Sequence, residues 1–588
     1  MTSVSNLLLT LLMNPAVILT LGALVTLRTP IVVRKCVSLV VIGLSAYQSY
    51  QLGQGAFGEI ALFGNTLTTL RIDALSRIFI VVFHIAMALN ILYSWHEARD
   101  RLQNFATLAY PAACLGGVLA GDFVTLFVWW EIAAITSVFL VWAPGTRANY
   151  LSGMRYLSVQ ILSGVLLLGG IALWYRQQGT LDFGAIGLRD AGGAINLAGL
   201  LLFLAFGIKS AFPLIHNWVQ DSYPKASLTG TIVLSVFTTK LAVYSLARGF
   251  AGTTELVYIG AVMTIFPIFF ALIENDLRKV LCYSINNQVG FMVIGIGIGS
   301  SIAVNGAVGY AFSNIIFESL LFMALGAAVY RTGTSQATEL GGLYRYMPLT
   351  LGLCIVGALS ISAFPFTAGF VTKGLIIEGA AAAHIPYVFV VWLVLLFASA
   401  GVLEHAGIKI PFFTFFAHSH PNRTFVKDKV PTGMYVAMGI AAVLSLGIGI
   451  YPDPLYALMP HQEQIQSYNP NTPYHFIEQL QLLLFAVLAF AVLIRMKWYP
   501  AEIPSDNLDS DWVWRIPGRS FVSWGNAAVR AVWLTLFSQC ISRIEDLTQR
   551  IYALHGPEGR MARSWPVGFM AMWTAVMLLG VLLLSFLG

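Results

Sequence analysis

Long apolar stretches, each about twenty residues in length, follow one another along almost the entire chain. Hydrophobic residues make up 57% of the 588 residues and charged residues only 10%. Soluble domains carry about 25% charged residues, so the surplus apolar surface has to face lipid. A membrane-spanning helix needs about 20 apolar residues. About sixteen stretches meet this length, near residues 5–27, 31–51, 74–94, 105–121, 123–142, 155–175, 195–217, 227–248, 254–273, 280–299, 303–330, 349–382, 387–409, 433–451, 476–497 and 565–587. The sequence therefore predicts an all-α polytopic membrane protein.

The loops between these stretches differ in basic residues, and this difference predicts the orientation. Odd-numbered loops hold most of the basic side chains, among them Arg34, Lys35, Lys225, Arg278 and Lys279. Cytoplasmic loops are enriched in Lys and Arg, so we expect the odd loops to be cytoplasmic and both termini to face the other side. The opening MTSVSNLLLTLLMNP has no basic region and no clear cleavage site. We interpret it as the first span rather than as a signal peptide.

Near the C-terminus, residues 498–564 are richer in charge and in turn residues than the rest of the chain. We expect a cytoplasmic excursion there before the last span. Within it, residues 529–552 alternate apolar and charged side chains. This pattern is typical of an amphipathic helix that lies at the membrane interface or against a partner, and an ordinary surface helix fits it equally well.

A lysine lies deep within the seventh stretch, where LAFGIKSAFPLIHNWVQD spans residues 204–221. Placing a lysine at the centre of a membrane helix costs ~2.5–3.5 kcal/mol or more. Pro213 removes a backbone donor four residues after Lys209 and predicts a break in the helix. The stretch 349–382 is too long for one straight span, and Pro365 and Gly369 predict a second break there. The two breaks lie five spans apart, as in transporters built from inverted repeats, and Lys373 is the predicted counterpart of Lys209.

Other ionisable residues also lie inside apolar stretches. They are Glu131, Lys240, Glu318, Glu378, Glu404, His405 and Lys409. One such residue could belong to an ion pair that only locks two helices together. A series of acids and bases on separate helices is better explained as a proton relay, because isolated buried charges are costly and buried pairs add little stability.

Cofactor and metal sites find no support in the sequence. The five cysteines are scattered and form no CxxC pair, and no flavin, haem, iron–sulfur or nucleophile motif is present. Gly295, Gly297 and Gly299 lie inside an apolar span, where close helix packing explains them better than phosphate binding. His418 and His420 could bind a metal ion, but a solvated loop explains them better. We expect a transporter subunit rather than an enzyme.

Five motifs together resemble a known family. They are FVWWEI around Glu131, GIKSAFPLIHNWVQDSYPKAS around Lys209, FTTKLAVYSLAR around Lys240, DLRKVLCYSINNQVGFM at 276–292 and FPFTAGFVTKGLI around Lys373. With the spans between them, the chain resembles, over roughly residues 70–450, the antiporter-like membrane subunits of Mrp-type cation/proton antiporters and respiratory complex I. Residues 238–248 and the tail NLDSDWVWR at 507–515 are most similar to the D branch of the Mrp-type subunits.

The resemblance implies a core of about fourteen helices with two inverted five-helix repeats, broken helices 7 and 12, and about two further C-terminal spans. It implies that Glu131 and Lys209 form a proton-path pair, that Lys240 leads to the centre, and that Lys373 ends the second half-channel. The expected organisation is 1–103 for helices 1–3, 104–250 for the first repeat, 251–410 for the second, 411–500 for helices 14 and 15, 501–564 for the cytoplasmic segment and 565–588 for the last span.

The eleventh span departs from the family pattern. Related subunits often carry a histidine and then a lysine there, whereas this chain has Asn314 and Glu318. Glu318 replaces a base with an acid, and we expect it to pair with Lys240 or Lys373. The predicted relay is therefore Glu131, Lys209, Lys240, Glu318 and Lys373.

The function expected from these residues is exchange of a monovalent cation such as sodium for protons. The chain would act as a subunit of an antiporter in a bacterial plasma membrane, with small hydrophobic subunits as partners. Two alternatives remain open. One is a proton-pumping subunit of a redox complex of the complex I or membrane-bound hydrogenase type. The other is a structural subunit with a defunct relay, which the departures in span eleven would explain. A sugar or drug carrier fits less well, because the polar groups here titrate.

Overall fold

The computed structural model describes residues 12–62, 64–97, 101–190, 192–417, 425–465, 468–500, 503–505, 507–557, 559 and 566–587. His418 and His420 lie outside the described residues. The described chain is almost entirely helical, as the apolar stretches predict. It divides into two compact units, the first of which ends at Asp509.

In the described chain, each of the sixteen predicted stretches contains a helix, and in two of the stretches the helix is interrupted by non-helical residues. The helices of the first unit are α1 (Pro15–Arg28), α2 (Ile31–Leu52), α3 (Ala74–Tyr93), α4 (Arg101–Leu119), α5 (Phe123–Trp142), α6 (Arg147–Gln178), α7 (Leu197–Lys209), α8 (Asn217–Ser222), α9 (Leu228–Gly249), α10 (Thr254–Ile273), α11 (Leu277–Ile298), α12 (Ser301–Thr332), α13 (Pro348–Ile361), α14 (Ala368–Ala381), α15 (Val388–Val402, continued by wider turns to Phe416), α16 (Thr432–Ile450), α17 (Asp453–Tyr456), α18 (Gln462–Ile465) and α19 (Pro473–Arg495). Among these and the last helix of the chain, eleven are long and apolar enough to cross a membrane; α1, α7 and α13 are shorter apolar helices.

A β-hairpin between α2 and α3 is an element that the count of apolar stretches does not predict. Strands β1 (Gly55–Leu62) and β2 (Asn65–Ile72) pair antiparallel, with Gly55 opposite Ile72. The Thr68 carbonyl accepts a hydrogen bond of 3.0 Å from the backbone of Gly121. The hairpin therefore lies over the link between α4 and α5.

Both predicted helix breaks are present, and they have the same local structure. Helix α7 ends at Lys209 and α8 begins at Asn217, while α13 ends at Ile361 and α14 begins at Ala368. The tetrapeptide Ser-Ala-Phe-Pro follows the first half-helix in both, at 210–213 and 362–365. Each break contains two left-handed residues three positions apart. They are Ala211 and Leu214 (φ 59° and 72°) and Ala363 and Phe366 (φ 57° and 64°).

The repeated tetrapeptide shows where each lysine lies relative to its break. Aligning the two copies, which are 152 residues apart, places Lys209 opposite Ile361 and Lys373 opposite Asp221. Lys209 therefore precedes its break, whereas Lys373 follows its own. The helix break is the repeated feature, and the two lysines use it differently.

Glycines allow the closest helix contacts in the second half of the first unit. A Cβ at Gly295 would lie 2.8 Å from the Ala303 carbonyl, and one at Gly297 would lie 2.7 Å from the Val257 nitrogen. Small residues at such positions let helix backbones approach each other. Close packing thus explains these glycines, as the sequence predicts.

The second unit contains a long helix, α20 (Arg519–His555), and the last span, α21 (Val567–Leu587). Helix α20 contains the residues 529–552 that the sequence predicts to be helical, and its described side chains are almost all exposed. Its charged side chains include an ion pair of 2.8 Å between Arg550 and Asp546, one turn apart.

We expect Gly369→Ala to destabilise the second break. A Cβ at this position would lie 1.8 Å from the Ser360 carbonyl oxygen, and such overpacking costs ~1–3 kcal/mol. Thermal unfolding of the detergent-purified protein should therefore occur at a lower temperature. Gly352→Ala on α13 is the control, since nothing lies within 4 Å of its added Cβ. Equal unfolding temperatures of the two variants would contradict this account of the break.

Candidate functional site: a row of buried charges

Lys209 lies at the end of α7 with its side chain almost fully buried, 1% exposed. Its Nζ donates a hydrogen bond of 2.8 Å to the Trp130 carbonyl and lies 4.2 Å from the centre of the Trp130 ring. The Ile208 carbonyl, at the end of α7, accepts a 3.1 Å hydrogen bond from the Ala211 backbone and one of 3.0 Å from the Trp218 indole. Trp218 therefore ties the far side of the break to the end of α7, while the Lys209 ammonium group is held against α5.

Glu131 is the neighbour of Trp130 in sequence, but its carboxylate does not contact Lys209 within ion-pair distance. It is partly buried and lies against α6, so close to Gly164 that a Cβ there would be 1.6 Å from Oε1. That Oε1 has no hydrogen-bond partner among the described residues. Lys209 thus binds the carbonyl of the residue that precedes Glu131. The charged ends of the two side chains contact different neighbours, Trp130 and Gly164.

Lys240 and Glu318 form a buried ion pair. Lys240 Nζ lies 3.5 Å from Glu318 Oε2, and the two side chains are 1% and 2% exposed. The Nζ also donates to the Ser235 carbonyl at 2.9 Å. Of the two partners expected for Glu318, Lys240 and Lys373, it is Lys240 that forms the ion pair. The pair links α9, in the first predicted repeat, to α12, in the second.

Lys373 lies on α14 and is fully buried. Its Nζ donates a 3.3 Å hydrogen bond to Ile361, a carbonyl freed by the second break, and lies 4.7 Å from the centre of the Phe291 ring. The side chain also lines a cavity of about 440 Å³. The polar and charged residues around this cavity include Glu378, Tyr468, His475, Glu478 and Gln479.

The cavity brings together residues that the sequence analysis treated separately or not at all. His475 and Glu478 lie on α19, outside the core of about fourteen helices, and no local pattern marks them. Gln479 on the same helix donates a 3.3 Å hydrogen bond to the Ser362 carbonyl in the second break. Helix α19 therefore packs on the break and lines the cavity beside Lys373, whose otherwise largely apolar wall contains the acidic side chains of Glu378 and Glu478.

Buried polar atoms without a protein partner lie on the helices around the central pair. Asn286 on α11, Ser313 on α12 and Thr239 on α9 are fully buried, and none of their side-chain polar atoms has a hydrogen-bond partner among the described residues. Buried polar groups are nearly always hydrogen-bonded, often to ordered water. The interior around Glu318 is thus suited to hold water.

The remaining ionisable residues, Glu404, His405 and Lys409, lie on α15 and its continuation and have different surroundings. Lys409 donates to the carbonyls of Leu272 and Glu274, at 2.7 and 2.8 Å, where α10 ends. A cation on the last carbonyls of a helix is a favourable cap. His405 Nδ1 contacts the Gly401 carbonyl at 2.7 Å, and Glu404 is partly buried. Lys409 therefore has a structural role that its sequence context did not reveal.

Comparison with known proteins supports the resemblance seen in the motifs. Residues 120–402 match the family model described as NADH:quinone oxidoreductase/Mrp antiporter, TM. The D-type Na(+)/H(+) antiporter subunit of Alkalihalophilus pseudofirmus is 28% identical over 274 residues, which are 44% of this chain and 55% of that protein. Hydrogenase-4 component B of Escherichia coli is 24% identical over 479 residues, 73% of this chain and 71% of that protein. The chain thus spans about half the length of the first of these relatives and about seven-tenths of the second.

A solved structure confirms the fold. A chain of the Mrp complex from Dietzia sp. DQ12-45-1b superposes with a TM-score of 0.65 at 20% identity, over 81% of this chain and 97% of that one. Fold, motifs and family model agree: residues 120–402, just under half of the chain, match the NADH:quinone oxidoreductase/Mrp antiporter model, and the chain has the fold of a polytopic membrane protein.

Proposed function

We propose that the chain is the ion-translocating subunit of an Mrp-like antiporter that exchanges a monovalent cation, with sodium as the first candidate, for protons. The buried pair of Lys240 and Glu318 is the observation that carries this proposal. It joins the two predicted repeats at a place where a purely structural contact is made more cheaply by apolar residues. The name of the A. pseudofirmus relative, a Na(+)/H(+) antiporter subunit, gives the cation class.

In this proposal the proton path runs through Glu131, Lys209, Lys240, Glu318 and Lys373. Glu131 receives the proton, and Lys209 holds it beside the first break. Transfer of a proton from Lys240 to Glu318 changes the pair from charged to neutral without moving a helix. Because buried charges interact strongly, the charge state of Lys209 biases the pair, and the pair biases Lys373.

Water completes the path in the same proposal. The unpaired side chains of Asn286 and Ser313 supply hydrogen-bonding sites between helices, and Asn314, one turn from Glu318, needs no titration to position a water molecule. The cavity beside Lys373 connects the second break to the acidic side chains of Glu378 and Glu478. These features support a continuous relay despite the departures from the family pattern in span eleven.

The proposal extends to the assembly and the membrane. The structural neighbour is part of a multisubunit Mrp complex, and we propose that small hydrophobic antiporter subunits are the partners of this chain. A bacterial plasma membrane, with the odd loops in the cytoplasm, is the proposed location. Protons and cations would be the transported species, with no reaction catalysed by the chain itself.

The second candidate function is proton pumping in a redox-driven complex. The observation that favours it is the similarity to hydrogenase-4 component B, which covers more of both chains than the antiporter relative does. Copurification from native membranes separates the two. Small hydrophobic antiporter subunits would support the first function, and iron–sulfur or flavin subunits would support the second.

Neutralising either Glu131 or Lys209 should stop the exchange of sodium for protons. We expect Glu131→Gln and Lys209→Met to abolish sodium-dependent proton movement in everted vesicles, measured with a fluorescent pH indicator, while the protein remains in the membrane. Glu255→Gln is the control, since Glu255 pairs with Arg189 in a partly exposed ion pair. Full exchange in both test variants would refute the proposed function.

Variants of the Lys240–Glu318 pair distinguish a role in proton transfer from a purely structural role. We expect Lys240→Met alone to lower the stability by ~3–5 kcal/mol, since it leaves Glu318 buried without its partner. The double variant Lys240→Met with Glu318→Leu should recover most of that stability, because apolar replacement of a buried pair is often neutral. Exchange should be absent from both. A stable double variant that still exchanges sodium for protons would show that the pair has only a structural role.

The position of the Glu131 carboxylate should also matter. Gly164→Ala would place a Cβ 1.6 Å from Glu131 Oε1 and displace it, and a misplacement of this order lowers rates by roughly ten- to a hundredfold. Gly169→Ala on the same helix is the control, because the nearest atom to its added Cβ is 3.7 Å away. Initial exchange rates in vesicles measure both, and equal rates would indicate that the carboxylate position is unimportant.

A further inference from the structure

The segment after α19 returns to the core of the first unit. Asn507 donates a 3.1 Å hydrogen bond to the Ile273 carbonyl at the end of α10, and its own carbonyl accepts one of 3.2 Å from Lys279 on α11. These residues belong to the tail motif that resembles the D branch of the Mrp-type subunits, and this motif lies beyond the matched residues 120–402. The contacts hold the backbone of this segment at the start of α11.

Two residues later, the carboxylate of Asp509 is buried at the first helix break, with 2% of the side chain exposed. Its Oδ2 accepts a 2.8 Å hydrogen bond from the Tyr283 hydroxyl and lies 3.1 Å from His216 Nε2. Its Oδ1 accepts a hydrogen bond from the Asn217 amide. Asp509 thus bridges the start of α8 and helix α11, which belong to different predicted repeats.

His216 is the part of this arrangement that points beyond a structural role. It lies seven residues after Lys209, at the far end of the break, and its side chain is 2% exposed. Its ring packs at 4.5 Å from the Phe266 ring. The second ring nitrogen, Nδ1, is buried and has no hydrogen-bond partner among the described residues. An imidazole with a carboxylate on one nitrogen and the other nitrogen unengaged is the geometry of a proton shuttle.

The location matches a point of entry. By the distribution of basic residues, Lys225 and Lys279 lie in loops that are predicted to be cytoplasmic, and His216 lies at that end of the seventh span. In this predicted orientation, Asp509 and His216 lie nearer the cytoplasmic end of the span than Lys209 does. A segment that only tied the helices together would be served by the hydrogen bonds of Asn507 and would not require a buried charge.

We propose that Asp509 is the proton-entry carboxylate of the first half-path and that it passes protons to His216. This inference rests on the proposed function and names a residue pair that feeds the Lys209 end of the relay. A proton that arrives on Oδ2 transfers to Nε2 of the neutral imidazole, and the imidazolium then releases its Nδ1 proton to the interior. The carboxylate is restored, and a water-mediated tautomer change, which returns the remaining proton from Nε2 to Nδ1, resets the shuttle. No electrons are transferred.

The test compares Asp509→Asn with Asp509→Glu in the full chain, expressed from its own locus and assayed in everted vesicles of the native membrane. Asn keeps the size and an acceptor oxygen but cannot carry the proton, whereas Glu keeps the carboxylate. We expect Asp509→Asn to lower the initial exchange rate at least about tenfold, since a positioned proton-transfer group contributes ~10²–10⁴-fold. Asp509→Glu should retain most of the rate, and both variants should unfold within a few degrees of the parent protein.

Asp428→Asn serves as the matched control, because Asp428 is an exposed carboxylate in another loop on the predicted cytoplasmic side. An unchanged rate in Asp509→Asn would overturn the inference, and so would equal losses of rate in Asp509→Asn and Asp509→Glu, which would mark a structural tie. Glu131→Gln, measured in parallel, separates this failure from failure of the proposed function. If the vesicles pump protons under redox drive and do not exchange sodium, the same comparison is made on the pumping rate.

Discussion

A charge in the middle of a membrane protein needs a partner, and the pair of Lys240 and Glu318 meets this need across the two halves of the core. Neither side chain is exposed to solvent or lipid, and their separation of 3.5 Å is that of a direct ion pair. Removing either residue would leave the other buried and uncompensated, which is the costly case. The packing of α9 on α12 therefore depends on both, and so does any route that connects the two helix breaks.

The helix breaks and the buried lysines could be predicted from the sequence, because their signals are local. A proline within an apolar stretch removes a backbone donor wherever the helix packs, and a lysine there is costly in any context. The direction of a side chain is not local. Glu131 lies against Gly164 and not on Lys209 because α6 leaves space for it. Asp509 reaches His216 from 293 residues away, and no spacing rule connects the two. The hairpin of β1 and β2 is missed for another reason: its eight-residue strands are too short to register as spans.

The repeated Ser-Ala-Phe-Pro break shows how one backbone device serves two different sites. In both copies the left-handed residues store strain that the surrounding packing has to hold, and a carbonyl at the end of the first half-helix receives a side-chain donor: the Trp218 indole at Ile208 and the Lys373 ammonium at Ile361. In the first break the lysine lies on the half-helix before the interruption and turns to α5. In the second, Lys373 itself closes the break and faces a cavity. The two halves are thus related in backbone but have different surroundings for their charges.

The acid at position 318 gives the centre of the path a consistent electrostatic design. A lysine there, as in related subunits, would place a second ammonium beside Lys240, and two like charges at such a distance cannot both remain ionised in a buried site. With Glu318 the site holds one acid and one base, so it is neutral overall whether the proton lies on the lysine or on the carboxylate. Such a pair can be buried without a third charge. In the proposed relay its proton shifts in response to the charges of Lys209 and Lys373, and Asn314, one turn away on α12, holds water, which an amide does as well as an imidazole.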